Sequence, residues 1–457
     1  MGNFWDFSAW GAFNLFAVLL SSLLVANMLK RSIPWLDASL IPTSVLGGGI
    51  LLLASMIYKS ATGHEMFDTP FFGGNGSTWL ELITYHTLAL GFTASALKST
   101  EEKMTRERSV EIFNTGLTTV ATYLLQALAG MIICIIAAPY VKDLLEAAGL
   151  LLALGYGQGP GQAMNYGSLY ELDYGFVGGK SFGLTIASLG FLSASIGGVI
   201  HLNWLKRKGK IVLDKGTGMP NEQLEEENEV PMQENVDKFT LQIAFIMLAY
   251  LLAYLLMYVL GNLVPGMRST IYGFNFLLGV LAATVLKNVL KFLNKCNIIH
   301  RQYTNNFLLT RATNFFFDIM VTASIAAIRL GTIGKYWGVM IAMGLAGLVL
   351  TYAYVYFVCR RLFPNYQEQQ FLAMYGMLTG TASTGIILLR EIDGDFKTPV
   401  ADNLVYQNFP AMVFGFPILL LATMAPTQPY LTLGIVAVFL VAINLLLFRS
   451  FLFRKKK

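Results

Sequence analysis

Charge is scarce in this chain. Only 13% of its 457 residues are Asp, Glu, Lys or Arg, whereas 55% are apolar and the mean hydropathy is +0.57. A soluble protein of this length needs far more charge to cover its surface. We therefore expect one integral membrane domain instead of the roughly three soluble domains that the length alone would suggest.

Cysteine and the common catalytic motifs are also lacking. The three cysteines, Cys134, Cys296 and Cys359, are far apart, so they predict neither a disulfide framework nor a metal cluster. The sequence has no P-loop and no His-Glu-x-x-His pattern, which argues against ATP-driven pumping by this chain alone and against a zinc enzyme. The basic residues lie in short loops between apolar runs, a distribution typical of membrane topology and not of a nucleic-acid surface. We expect no enzyme activity, no catalytic residues and no nucleic-acid partner.

Long apolar runs, by contrast, fill most of the sequence. A membrane-spanning helix needs about 20 mostly apolar residues. Eleven segments meet this requirement, at residues 8–29, 34–58, 79–98, 110–138, 182–204, 239–262, 269–290, 307–329, 335–359, 402–424 and 430–449. The sequence thus predicts an all-α integral membrane protein with about eleven spans.

Two further apolar segments do not fit a simple span. Residues 143–172 contain the glycine-rich run Gly155–Gln162, which includes Pro160, and residues 366–391 contain the run Gly376–Gly385. Glycine at this density weakens a helix, and proline removes a backbone donor. The backbone groups that are freed cannot face lipid, so they must be buried in protein or line a wet cavity. We interpret both segments as re-entrant hairpins or broken helices.

The distribution of Lys and Arg supports this interpretation. If each segment enters and leaves on the same side, 26 basic residues lie on the cytoplasmic side and 6 lie outside. If both segments cross, the split becomes 17 to 15. Because cytoplasmic loops carry the excess of positive charge, the first arrangement is favoured. It predicts a multi-pass membrane protein with its N-terminus outside and its C-terminus in the cytoplasm.

The two segments occupy corresponding places in two halves of the chain. Each follows four predicted spans and precedes one, and Thr93–Lys98 in the first half echoes Thr322–Arg329 in the second. The halves start on opposite sides, so we expect two inverted five-span repeats. The predicted organisation is a first repeat at 8–204, a cytoplasmic linker at 205–238, a second repeat at 239–424, and an extra helix with a basic tail at 430–457.

Paired interruptions in matching positions are the best sequence pointer to a transporter site. The N-terminus of a half-helix offers free N–H groups and partial positive charge to an anion. The candidate substrate-binding residues are Gly157, Gln158, Gly159, Gly161, Gln162, Asn165, Gly380, Thr381, Ser383, Thr384 and Arg390. The alternative is that the glycines permit tight helix packing and that the polar side chains bond to neighbouring helices.

A cation site is also expected near the interruptions. Half-helix C-termini and unwound carbonyls suit a cation such as Na⁺. Thr379 is the candidate at the second interruption, and Asp318 and Asn314 share one face of a predicted span. A charged residue inside a span is a functional hypothesis by default, and a structural ion pair is the alternative for Asp318.

At both interruptions the sequence resembles the bacterial glutamate:sodium symporter family. The run from Tyr156 to Ala163, with Tyr174-Gly175-Phe176 downstream, is similar to the family's first glycine-rich motif. Gly376 through Thr384 is similar to the second motif, and Pro42–Gly48 is similar to a third. The similarity is thin and runs from about residue 10 to residue 425.

The resemblance implies a dimeric elevator-type transporter of the bacterial cytoplasmic (inner) membrane that couples Na⁺ to glutamate uptake. The chain departs from the family pattern at the polar lining, because Gln158, Pro160 and Gln162 replace the family's histidine, threonine and alanine. In the second motif Thr381-Ala382-Ser383 replaces Ala-Thr-Pro. These departures bear on the identity of the substrate.

The expected function is therefore secondary active transport: Na⁺-coupled symport of glutamate or a related acidic amino acid or carboxylate. The expected partners are this small substrate, Na⁺ as coupling ion, membrane lipid and a second copy of the chain in a homodimer. One alternative is a proton-coupled or hydroxycarboxylate anion transporter of similar fold. Another, from a different class, is a membrane enzyme or a sensor.

Overall fold

The part of the chain that the structure describes is mostly α-helical. The computed structural model describes residues 4–98, 105–209, 236–265, 268–299, 301–394 and 397–452, and these residues contain no β-strand. Eight of the helices are long and apolar enough to cross a membrane, or up to nine if one bent pair is a single span. The protein is therefore an all-α protein of multi-pass membrane type.

The helices are named in chain order. Their bounds are α1 Phe7–Ser32, α2 Pro34–Ala38, α3 Thr43–Thr62, α4 Gly76–Leu97, α5 Arg106–Ala137, α6 Pro160–Tyr174, α7 Gly179–Arg207, α8 Lys238–Leu263, α9 Arg268–Gly273, α10 Asn275–Lys295, α11 Asn306–Ala326, α12 Leu330–Ile333, α13 Trp337–Leu362, α14 Gln367–Thr379, α15 Ala382–Arg390, α16 Val400–Tyr406, α17 Asn408–Met424, α18 Pro429–Leu447 and α19 Arg449–Leu452. Short 3₁₀ turns lie at Met66–Asp68, Pro70–Phe72, Glu146–Leu150, Gly334–Tyr336 and Pro364–Tyr366, and a π-helical turn lies at Ala153–Gly157.

The predicted count of eleven spans stays a prediction. Helices α4 and α11, with 22 and 21 residues, match two predicted spans but are not among the eight helices that are both long and apolar enough to cross a membrane. The predicted span at 402–424 is a pair, α16 and α17, that bends by 46°. The predicted span at 34–58 is divided into α2 and α3, because Pro42 disfavours helical backbone at Ile41 and α3 begins directly after it. Residues 210–235 of the predicted linker and 453–457 of the predicted tail lie outside the described residues.

The chain forms two compact units. The first unit comprises the described residues of Met1–Leu20, His64–Lys103 and Pro220–Ala323. Within it α4, α8 and α10 pack on one another through a core of small and aliphatic side chains that includes Ala94, Ala249 and Ala283. Small residues allow the close helix approach that packing in lipid requires.

The second unit holds both interrupted segments. It comprises the described residues of Ser21–Gly63, Met104–Met219 and Ser324–Lys457. Helix α13 packs against α5 and α7, and all three helices pack against the interrupted segments. Its aromatic-rich core is formed largely by α13, α14 and α15 and includes Phe371 and Tyr375, both fully buried. This unit therefore brings together the segments that carry most of the candidate site residues.

Candidate functional site

The first interrupted segment, Glu146–Tyr174, breaks at Gln158 and Gly159. A 3₁₀ turn and a π-helical turn lead to Gly157, and α6 starts at Pro160. Gly159 has φ +88° and ψ 177°, a backbone conformation that is accessible essentially to glycine alone. Pro160 follows at the first helical position, where its missing N–H has no intrahelical partner to lose. Local sequence thus accounts for both the break and the restart of the helix.

This segment folds back on itself. The Tyr336 hydroxyl donates to the Asp143 carbonyl at 3.0 Å, just before the segment, and the Tyr336 ring lies 5.3 Å from the ring of Phe176, just after it. On the return path, α6 runs antiparallel to α7, with Gly167 packed against Gly179. Both ends of the segment therefore meet at the same residue.

An exposed ion pair lies at the same end. The Lys335 ammonium donates to the Asp143 carboxylate at 2.7 Å, and this hydrogen bond holds the pKa of the Asp143 carboxyl below its usual value. The Lys335 and Asp143 side chains are 41% and 54% exposed, so the ion pair adds little to the stability of the fold. The pair lies just before the first residue of the segment.

The second interrupted segment, Gln367–Arg390, also folds back. Helix α14 ends at Thr379, Gly380 and Thr381 form the break, and α15 starts at Ala382. The two helices touch through glycines, since a Cβ built on Gly376 would lie 2.8 Å from the Cα of Gly385. The segment is therefore a tight helical hairpin.

The two segments approach from opposite ends of α7. The ends of the first lie at the start of α7, where Gly178 contacts Thr332. The second has its base at the other end of α7, where Glu368 bonds to His201 at 2.9 Å. Farther along α14 towards the break, the Tyr375 hydroxyl donates to the Ser193 carbonyl at 2.8 Å. Both segments thus point toward the middle of α7.

The breaks meet there. A Cβ built on Gly159 would lie 3.7 Å from Thr381 Cγ2 and 3.8 Å from the Gly380 carbonyl oxygen. The N-termini of α6 and α15 therefore begin at one place, and the C-terminus of α14 ends at the same place. Helix N-termini attract anions, whereas C-terminal carbonyls attract cations, so the arrangement can hold both. We call this place the tip site.

Gln162 is the most unusual polar side chain at the tip site. It lies in the first turn of α6, is 1% exposed, and neither Nε2 nor Oε1 has a hydrogen-bond partner in the described part of the chain. A buried amide without partners costs about 1–3 kcal/mol per unsatisfied group. A buried polar side chain without hydrogen-bond partners in a native protein calls for an explanation, and one explanation is that it binds a ligand.

Gln126 lies beside the tip site and was not predicted from the sequence. From α5 its Nε2 donates to the Leu378 carbonyl at 2.9 Å and to Thr351 Oγ1 at 2.8 Å, so it joins three helices beside the second break. Its Oε1 has no partner among the described residues, and a Cβ built on Gly157 would lie 3.1 Å from it. The signal that could have revealed it is a row of polar residues at helical spacing in the middle of α5: Thr115, Thr118, Thr122 and Gln126.

The hydroxyl residues of the second break differ in their roles. Thr379 is fully buried and donates to the Tyr375 carbonyl at 2.7 Å. Thr381 and Thr384 place their Oγ1 atoms 3.3 Å apart, and Thr384 is buried. The Ser383 side chain lies outside the described residues.

The remaining candidates of the first break lie beside the same site. Gln158 is half-buried between Gly157 and Gly159, and Gly161 and Asn165 are buried in α6. Their assignment to the substrate stays a prediction.

Three candidates lie elsewhere. Arg390 is exposed at the last position of α15, eight residues from the start of that helix, which is about 12 Å of helix. Asn314 and Asp318 are exposed on α11 and belong to the first unit, whereas the tip site belongs to the second. The roles of these residues in carboxylate or cation binding stay predictions.

Comparison with family models and with curated proteins identifies no relative. No family model matches this chain, and no curated protein matches it either. The resemblance to glutamate:sodium symporters therefore rests on the sequence motifs alone.

Proposed function

We propose that this protein is a secondary active transporter that couples Na⁺ entry to the uptake of glutamate or a related acidic amino acid or carboxylate. The observation that carries the proposal is the meeting of two helix breaks, with the tip of each at the middle of α7. Broken helices of this kind form the ion and substrate sites of secondary transporters.

The chemistry of the tip site supports an anionic substrate. The N-termini of α6 and α15 supply backbone N–H groups, and Gln162 supplies an amide that has one donor group and one acceptor without partners. An amino acid, which carries both a carboxylate and an ammonium group, could use both kinds of group. The departures from the family motif at Gln158 and Gln162 would then set which acid is preferred.

The C-terminal end of α14 supports a coupling cation. Backbone carbonyls at a helix C-terminus carry partial negative charge, and oxygen ligands suit hard cations. Because both breaks belong to the second unit, their ligands could move with that unit as one body, as an elevator mechanism requires.

Transport by the purified protein in liposomes tests the proposal. Labelled L-glutamate, L-aspartate and a hydroxycarboxylate would be offered with an inward Na⁺ gradient, and an inside-negative potential would add about 2.3 kcal/mol per charge per 100 mV. We expect accumulation of an acidic amino acid that stops when the Na⁺ gradient is collapsed. The control variant Gly434→Ala, where a new Cβ meets nothing within 4 Å, should transport like the wild type.

Other outcomes would contradict the proposal in distinct ways. Accumulation that ignores Na⁺ but follows an imposed pH gradient would replace it with a proton-coupled anion transporter. Absence of transport for all three substrates under every gradient would favour an enzyme or a sensor.

A further inference from the structure

A fully buried histidine lies at the base of the second interrupted segment. The His201 ring, on α7, is 0% exposed. Its Nε2 lies 2.9 Å from the Glu368 carboxylate of α14, and its Nδ1 lies 2.7 Å from the Tyr352 hydroxyl of α13. Glu368 is itself 8% exposed and also accepts from Gln367 Nε2 at 2.9 Å. No role in substrate binding at the tip site accounts for this pair.

The surroundings of His201 stabilise both of its charge states. Four aromatic rings surround the imidazole, at centroid distances of 4.3 to 5.8 Å: Phe371, Trp204, Tyr352 and Tyr356. The carboxylate at hydrogen-bond distance favours an imidazolium, whereas burial disfavours any net charge. The pair is neutral overall when it holds one proton.

The deprotonated pair also has support. Glu368 lies in the first turn of α14, where the helix N-terminus stabilises a carboxylate. Gln367 and a neutral His201 would still donate hydrogen bonds to it. Since each state has its own stabilising groups, the pair can gain and lose a proton without loss of the fold.

The other titratable groups nearby do not change charge in the range of an imidazole. Among the described residues they are Tyr352, Tyr356 and Cys359 on α13, Tyr375 on α14, and Lys208, whose Nζ lies 4.3 Å from the Trp204 ring centroid at the end of α7. Tyrosine, a buried thiol and lysine keep their neutral or charged forms between about pH 5 and 8. A transition in that range would therefore belong to His201 and Glu368.

We propose that His201 and Glu368 form a proton-binding site, which joins the base of the second interrupted segment to α7 and is loaded and unloaded near neutral pH. The ligand is the proton itself. The site is separate from the tip site, and the inference holds whichever ion drives transport.

Trp204 provides a direct readout, because its ring lies 5.4 Å from the imidazole and imidazolium quenches indole emission. The emission of Trp204 would be taken as the difference between the full-length protein and its Trp204→Phe variant, which removes one of the six tryptophans. Between about pH 5 and 8, the range in which imidazole titrates, we expect one reversible transition with lower emission at low pH.

Three variants test whether the transition in Trp204 emission belongs to His201 and Glu368. His201→Gln should abolish it. Glu368→Gln removes the carboxylate that stabilises the imidazolium, so the midpoint should move to lower pH by about one unit or more. His64→Gln, at an exposed histidine outside the cluster, should leave the transition in place.

Either of two results would overturn the inference: a flat emission between pH 5 and 8 in the wild type, or a transition that persists in His201→Gln. If His201→Gln does not fold, an unchanged midpoint in Glu368→Gln would overturn it as well. Because the readout needs no transport, its outcome is independent of the test of the proposed function.

Discussion

At the scale of single residues, two buried glutamines of the second unit stand in contrast. Gln126 donates from its Nε2 to both the Leu378 carbonyl and Thr351, and only its Oε1 has no partner, whereas Gln162 has no partner for either side-chain atom in the part of the chain that the structure describes. Hydrogen bonds made in the folded state stabilise it, whereas buried groups without partners destabilise it. The first pattern is that of a structural residue and the second that of a ligand-binding one.

Replacing each glutamine by methionine, which has a similar shape, should separate the two roles. In Gln162→Met the ligand-free protein should melt at the same or a higher temperature than the wild type, because an unsatisfied amide has been removed. The same variant should lose most of the stabilisation that substrate gives, since a ligand that binds only the folded state raises the melting temperature more the more tightly it binds. Thermal unfolding in detergent, with and without acidic amino acids and Na⁺, measures both effects.

Gln126→Met is the matched control. It should lower the melting temperature, because two hydrogen bonds worth about 0.5–1.5 kcal/mol each are lost. If Gln162→Met destabilised the ligand-free protein as much as Gln126→Met does, Gln162 would be a structural residue and the ligand interpretation would be wrong.

At the scale of elements, the interrupted segments show what a sequence can and cannot reveal. Glycine density and Pro160 predict breaks within residues 143–172 and 366–391, and the structure has its breaks at Gly159 and Gly380, inside those ranges. These breaks depend on the local backbone preferences of glycine and proline, and the positions of those residues can be read from the sequence.

The hydrogen-bond partners of buried polar side chains are contacts between distant residues, and these could not be predicted. Gln126 lies on an uninterrupted helix, and its partners, Thr351 and Leu378, are more than 200 residues away in the chain. The pairing of His201 with Glu368 is likewise long-range. No periodicity within a window of sequence indicates which distant carbonyl or carboxylate a side chain meets.

The second hairpin should tolerate no larger residue at its glycine contact. A Cβ on Gly385 would clash with the Ala373 carbonyl, so Gly385→Val should push α15 away from α14. Overpacking of this kind costs about 1–3 kcal/mol, so we expect a lower melting temperature and loss of Na⁺-dependent uptake.

Gly434→Val on α18 adds the same side chain where nothing lies within 4 Å of a new Cβ, and it should leave uptake near the wild-type level. Equal uptake by Gly385→Val and Gly434→Val would show that close contact between α14 and α15 is not needed.

At the scale of the whole molecule, the proposed transport site depends on where the two ends of each interrupted segment lie. Tyr336 contacts residues on both sides of the first segment, and the base of the second lies at the opposite end of α7. From this arrangement we expect both ends of the first segment to lie on one face of the bilayer and both ends of the second to lie on the other face. The inverted repeats and the orientation of the termini follow from that assignment and stay predictions.

Labelling of single cysteines with a membrane-impermeant maleimide tests this most directly. In a variant without Cys134, Cys296 and Cys359, cysteines would be placed one at a time at four exposed or partly exposed positions flanking the segments: Lys142, Val177, Asn365 and Lys397. The account predicts that positions 142 and 177 are labelled from outside intact cells and that positions 365 and 397 are labelled only from the cytoplasmic face. Labelling of positions 142 and 177 from opposite faces would contradict it, because the first segment would then cross the membrane.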